Sequence, residues 1–150
     1  DSSGGGFALA FAQKMLTEHK PMPRRIILLS PWLDVTMENP ELRTIEPLDP
    51  VLEISGLIRA GKAYAAQTDP HDPLLSPIYG NLEGLPRISL FAGTRDILVA
   101  DARRLKKIAD EKGISIDYVE VEDMVHVWML LYIKESKQAI EQITQLILES

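Results

Sequence analysis

The chain contains no cysteine. That absence excludes a disulfide framework, a thiol nucleophile and any thiolate metal site, and it fits a reducing, cytoplasmic compartment. No apolar run approaches the ~20 residues of a membrane span. Lysine and arginine form no stripe, and the formal net charge is −6. Nucleic acid and anionic membranes are therefore poor partners. There is no internal repeat and no low-complexity segment. An initiating methionine is also lacking, because the first residue is Asp1. The sequence reads as one that has lost its true N-terminus, so the lack of a signal peptide decides nothing.

What is present is an ordinary globular balance. At 150 residues, 45% hydrophobic and 25% charged, the chain fits one folded domain rather than a disordered segment. Residues 4–19 read as a helix, apolar nearly all round until Gln13, as a core helix is. Phe7, Phe11 and Met15 share one face, with Leu9, Ala12 and Leu16 beside them. His19-Lys20-Pro21-Met22-Pro23 stops it. Arg25-Ile26-Ile27-Leu28-Leu29 is a continuous apolar run without alternation, the pattern of a parallel strand covered on both faces.

Residues 31–50 are a Pro- and Asp-rich loop, 51–67 a second helical stretch, and 68–86 an irregular connection punctuated by prolines. Arg87 to Ala92 is a second strand, ended by Gly93-Thr94-Arg95-Asp96. Residues 101–112 form an amphipathic helix, with Asp101 as its expected N-cap and Gly113 past its end. Residues 115–121 alternate apolar and polar, which predicts a more peripheral strand with one wetter face. The last helix, about 135–149, is expected to bury Ala139, Ile140, Ile143, Leu146 and Ile147.

Helices alternating with strands call for an α/β fold: a three-layer α/β/α arrangement with a parallel sheet and right-handed crossovers. Three strands are too few to cover these helices, and the first would keep an unpaired edge. The chain reads as the C-terminal half of a larger sheet that needs its N-terminal half.

Ligands of open parallel sheets bind beyond the carboxyl ends of the strands. Three residues fall there. Asp96 follows the second strand and His126 the third. Ser2, backed by small residues at the mouth of an apolar helix, would follow a strand upstream of Asp1. Taken alone, Asp1-Ser2-Ser3-Gly4-Gly5-Gly6 is a linker pattern. The other two residues change its meaning. A serine hydroxyl needs an imidazole to take its proton, and a carboxylate to hold that imidazole in the useful tautomer. The backbone N–H of Ser3, next after the serine, is placed to donate to an oxyanion.

Competing assignments exist for each role. Ser3 is a rival nucleophile and Asp34, after the first strand, a rival acid. His19 and His71 are expected to face solvent. Asp69, His71 and Asp72 read as polar surface rather than a metal site.

These residues carry a resemblance. Asp1-Ser2-Ser3-Gly4-Gly5 resembles the tail of the Gly-Asp-Ser-x-Gly-Gly nucleophile elbow of α/β-hydrolases in the hormone-sensitive-lipase-like esterase family. Leu29-Ser30-Pro31-Trp32-Leu33-Asp34 is similar to that family's segment after its sixth strand, and Leu75 to Pro86 to its approach to the seventh. Ala92-Gly93-Thr94-Arg95-Asp96-Ile97-Leu98 resembles the acid loop, and Met124-Val125-His126-Val127-Trp128 the histidine loop.

The resemblance implies an eight-stranded sheet, no metal or organic cofactor, and hydrolysis of small carboxylic esters through an acyl-enzyme. Residue by residue it implies Ser2 as nucleophile, Asp96 as acid, His126 as base and Ser3 as one oxyanion donor. The upstream His-Gly-Gly loop that supplies the other donors is not in this sequence, so the chain by itself is expected to be inactive. Residues 51–67 are a possible cap element. The alternatives are an amidase, deacetylase or acyltransferase on the same triad, or a binding protein that keeps the pocket without turnover.

Overall fold

The structure, a computed structural model, describes residues 1–149. In chain order it comprises α1 (Ser2–Thr17), β1 (Arg25–Leu29), α2 (Leu42–Ile45), α3 (Ile54–Ala65), β2 (Arg87–Gly93), α4 (Val99–Glu111), β3 (Ile116–Val121) and α5 (Lys134–Leu148). Short 3-10 turns lie at Glu46–Leu48, Pro77–Tyr79 and Trp128–Leu130. The strands form one parallel sheet in the order β1-β2-β3.

The register aligns Leu29 with Phe91 and Gly93 with Val121. β2 and β3 thus end together and β1 two residues earlier, so the loops that follow them emerge at one edge of the sheet.

Side chains leave a strand on alternate faces, and each face of this sheet feeds its own core. Ile26, Leu28, Ile88, Leu90 and Ala92 join Leu9 and Ala12 of α1 and Leu105 and Ala109 of α4. On the other face Ile27, Leu29, Phe91 and Val119 meet Trp128, Met129 and the α5 residues Ala139, Ile143 and Leu146. This is the expected three-layer arrangement. Each fully buried leucine, such as Leu9, Leu28 and Leu90, contributes about 2 kcal/mol over an exposed one. The continuous apolar runs of β1 and β2 follow from burial on both faces.

β3 is the wetter strand, with only Ile116 fully buried. Its polar face is stitched to β1 instead. The Arg25 guanidinium donates to the Ser89 hydroxyl at 2.7 Å and to the Asp117 carboxylate at 2.7 Å.

Four expectations need correction. α1 is not buried all round: Phe7 and Phe11 are 60% and 51% exposed and stack on each other. Helical spacing places residues on a face but does not say whether anything covers it. For the same reason Ile140 and Ile147 of α5 are exposed, although Ala139 is buried as expected. The loop after β1 also contains the short helix α2. Finally, Asp101 does not cap α4. The helix starts at Val99, because Asp96 already closes the turn before it: its carboxylate accepts the Leu98 N–H at 2.9 Å and its carbonyl the Val99 N–H at 3.0 Å. Gly113, with φ +69°, does lie just past the end of α4 in the left-handed conformation that glycine tolerates.

Candidate active site

Ser2 opens α1 with φ 45°, a left-handed conformation that costs a non-glycine residue about 1–3 kcal/mol. The glycines behind it explain how that backbone is held. A Cβ on Gly6 would stand 2.0 Å from the Trp32 carbonyl oxygen, and one on Gly5 2.9 Å from the Pro31 Cβ. Without side chains, α1 lets residues 31–32 lie directly against it, and the Trp32 N–H donates to the Ser2 carbonyl at 2.9 Å. The run that alone reads as a linker is a packing surface.

The Ser2 Oγ lies 3.0 Å from His126 Nε2, and His126 Nδ1 lies 2.9 Å from Asp96 Oδ2. An ionised carboxylate only accepts hydrogen bonds. Nδ1 therefore carries the proton toward Asp96, leaving the Nε2 lone pair to accept the Ser2 hydroxyl. Asp96 is fully buried, and its second oxygen holds the Leu98 N–H. His126 keeps about 10% of its side chain exposed, so one end of the relay is dry and the other open.

Asp96 and His126 lie on the loops that leave β2 and β3, and Ser2 stands where α1 begins. The acid loop is fixed by the Asp49 carboxylate, which accepts the Ile97 N–H at 2.8 Å. The histidine loop rests on the end of β2: the Met124 carbonyl accepts the Arg95 N–H at 2.9 Å, and a Cβ on Gly93 would stand 2.2 Å from that same oxygen. Two hydroxyls reach the loop as well. Thr94 Oγ1 accepts the Asp123 N–H at 2.9 Å, and Ser30 Oγ accepts the Val127 N–H at 3.1 Å. Sequence reasoning passed over Asp49, Ser30 and Thr94; the position of the last two just past a strand end was the available signal.

By helix geometry the Ser3 N–H belongs to the first turn of α1, where backbone donors have no intrahelical acceptor. The positive end of the helix dipole adds to that field.

The rival residues are placed differently. The Ser3 side chain is exposed, and it is Ser2 that meets the imidazole. Asp34 is fully buried but committed elsewhere. Its carboxylate accepts the Thr36 N–H at 2.9 Å, the Tyr79 hydroxyl at 2.7 Å and the Arg104 guanidinium at 3.2 Å. His19 is exposed, as expected. His71, also exposed, bonds Asp69 and Glu38 at 3.2 Å each; with Glu38 the larger influence, both carboxylates hold its proton more tightly than usual.

A cleft of about 400 Å³ opens beside the start of α1, lined by Ser3, Gly4 and Phe7, by Trp32, and by Ala60 and Tyr64 of α3. Leu52, Ile54, Leu57 and Ile58 pack against the core on the α1 and α4 side of the sheet.

A hydroxyl, an imidazole and a buried carboxylate joined in this order can take a proton from the hydroxyl as it attacks an electrophilic carbon. The family model of the α/β hydrolase fold matches residues 1–130. An acetyl-hydrolase of Streptomyces hygroscopicus is 34% identical over 143 residues, which are 94% of this chain and 48% of that protein. A crystal structure of an esterase from the bacterial hormone-sensitive lipase family superposes with a TM-score of 0.92 at 32% identity, covering 97% of this chain and 50% of that one. The esterase EstE5, soaked with p-nitrophenyl butyrate, gives 0.93 at 32% identity, with 99% and 51% covered. The chain thus spans about half the length of these relatives. It belongs to the α/β-hydrolase fold family, on the branch that resembles hormone-sensitive lipase.

Proposed function

We propose that the protein hydrolyses small carboxylic esters through an acyl-enzyme, with Ser2 as nucleophile, His126 as general base and acid, and Asp96 as the carboxylate that orients it. The observation that carries this reading is the unbroken relay from the Ser2 hydroxyl through both ring nitrogens of His126 to Asp96.

In the first half-reaction the Ser2 Oγ attacks the ester carbonyl while its proton passes to Nε2. The imidazolium that forms is stabilised by Asp96, whose burial keeps competing water away. The oxyanion takes the Ser3 N–H as one donor. Collapse expels the alcohol, which receives the Nε2 proton. Water then repeats the sequence on the acyl-serine and releases the acid. Ser2, His126, Asp96 and the attacking water between them carry every proton of both half-reactions, so the reading calls on no metal or organic cofactor.

A single missing oxyanion donor can cost about 100–1,000-fold in rate. The remaining donors are assigned to a preceding half of the same domain, with residues 1–150 as the C-terminal half. Residues 51–67, which contain α3, serve as a cap element; supporting this, α3 walls the cleft beside Ser3 and Gly4.

A fluorophosphonate probe tests the assignment. In protein that carries the preceding half, Ser2 is expected to be labelled and turnover of p-nitrophenyl acetate or butyrate to stop with it. A folded protein labelled at Ser3, or not at all, refutes the reading.

A further inference from the structure

His126 is bracketed by two residues in the left-handed region: Asp123 with φ 59° and Val127 with φ 52°. Valine is branched at Cβ and resists that conformation more than most residues. A loop containing it relaxes unless something holds the backbone there. At both residues the holding group is a side-chain hydroxyl that accepts the strained residue's own N–H: Thr94 Oγ1 at Asp123 and Ser30 Oγ at Val127.

Ser30 is the more telling of the two. It is 1% exposed and itself left-handed, with φ 44°. Glycine would occupy that backbone with less strain. A serine there gains one thing glycine lacks, the hydroxyl that meets Val127. Its own N–H donates to the Phe91 carbonyl at 2.8 Å, which anchors it to the central strand. Two residues later the Trp32 N–H holds the Ser2 carbonyl. The segment 30–32 therefore grips the backbone of the nucleophile at one end and the residue after the histidine at the other. Thr94 performs the matching task from the acid loop, two residues before Asp96.

We infer that Ser30 and Thr94 are positioning residues for the triad: their hydroxyls lock the histidine loop so that Nε2 stays within hydrogen-bonding reach of the Ser2 hydroxyl. The inference rests on the triad reading above. Neither residue touches the reacting atoms; each acts through the backbone that carries His126. Loss of either hydroxyl lets the imidazole swing, which lowers the rate of proton transfer and leaves ester binding alone.

The test uses Ser30→Gly, Thr94→Val and Thr94→Ser in the protein with the preceding half. Ser30→Gly removes the hydroxyl while easing the backbone, so a merely structural serine predicts unchanged kinetics. The positioning role predicts that kcat for p-nitrophenyl acetate falls about tenfold or more with KM within about twofold, since misplacement penalises the transition state rather than binding. Thr94→Val is expected to fall less, and Thr94→Ser, which keeps the hydroxyl, to match the parent.

The low-field imidazole proton between His126 and Asp96, followed by NMR, should shift or broaden in Ser30→Gly and Thr94→Val but not in Thr94→Ser. A kcat within about twofold of the parent in both hydroxyl-free variants, with that proton unmoved, overturns the inference. So does a loss confined to KM. If Ser30→Gly does not fold, the Thr94 pair decides by the same two readouts. If the parent turns over no ester, the triad reading fails. The imidazole proton alone then judges the clamp: displaced it supports the clamp, unmoved it rejects it.

Discussion

Asp96 and Asp101 lie five positions apart, and both are fully shielded from solvent, yet they are provided with donors very differently. Asp96 is met by a ring N–H on one oxygen and a backbone N–H on the other. Asp101 accepts one hydrogen bond, from the Asn39 amide at 2.9 Å, and its second oxygen has no partner among the described residues. Burial pushes the Asp101 carboxyl up to about 6, with the nearby charge of Asp34 adding to the effect and Asn39 opposing it. The difference is one of donors rather than depth. With one oxygen left unpaired in a buried site, the Asp101 carboxyl holds its proton more tightly than an ordinary aspartate does.

The contrast can be broken most severely at Asp96. Asp96→Asn keeps the acceptor for Leu98 but cannot hold the imidazole in the required tautomer. Steady-state kinetics in the protein with its preceding half should show kcat reduced about 10⁴-fold with the fold intact. A decrease under tenfold would remove Asp96 from the relay.

Asp34 is the extreme of good provision, with Thr36, Tyr79 and Arg104 all donating to it. Asp34→Ala strands those donors and should cost about 3 kcal/mol of stability in urea unfolding. Most of that cost comes from Thr36 and Tyr79, because Arg104 is partly solvent-exposed and its ion pair is screened.

The gentlest probe is Asp101→Asn, which keeps the acceptor for Asn39 and removes the titration. With its carboxyl raised, the folded protein binds the Asp101 proton more tightly than the unfolded chain does. Between the ordinary value of 3.8 and about 6 the parent's stability therefore falls as pH rises, by up to about 1.4 kcal/mol per pH unit from this group, and the contribution is flat above that window. Comparing urea midpoints of parent and Asp101→Asn from pH 4 to pH 7 should show this slope in the parent only. Parallel curves would mean that folding does not raise the Asp101 carboxyl.

The layered fold was readable because burial on both faces leaves unbroken apolar runs, as in Ile26 to Leu29 and Ile88 to Phe91. Ser2, Asp96 and His126 were legible as candidates because Asp96 and His126 each follow a strand and Ser2 stands where an apolar helix begins. What escaped was set by contacts distant in sequence. No local pattern says that Phe7 and Phe11 lie uncovered, or that Asp101 meets Asn39 rather than capping α4. Nor does one say that the Ser30 hydroxyl finds an amide in another loop. The glycines after Ser3 were legible as small residues, but their purpose became clear only when Trp32 was seen lying on Gly6.

The bond between Ser2 and His126 joins residues 124 positions apart. A contact of that span is among the slowest to form, because the chain between its ends must first be ordered. Here the intervening strands and both supporting loops must be in place before the two side chains can meet. The relay therefore reports on folding as well as on chemistry. During refolding, helical circular dichroism should return first, the tryptophan signal of the packed cores next, and reactivity at Ser2 last. On the proposed reading of Ser2, a late-forming relay also keeps a partly folded chain from carrying an activated serine.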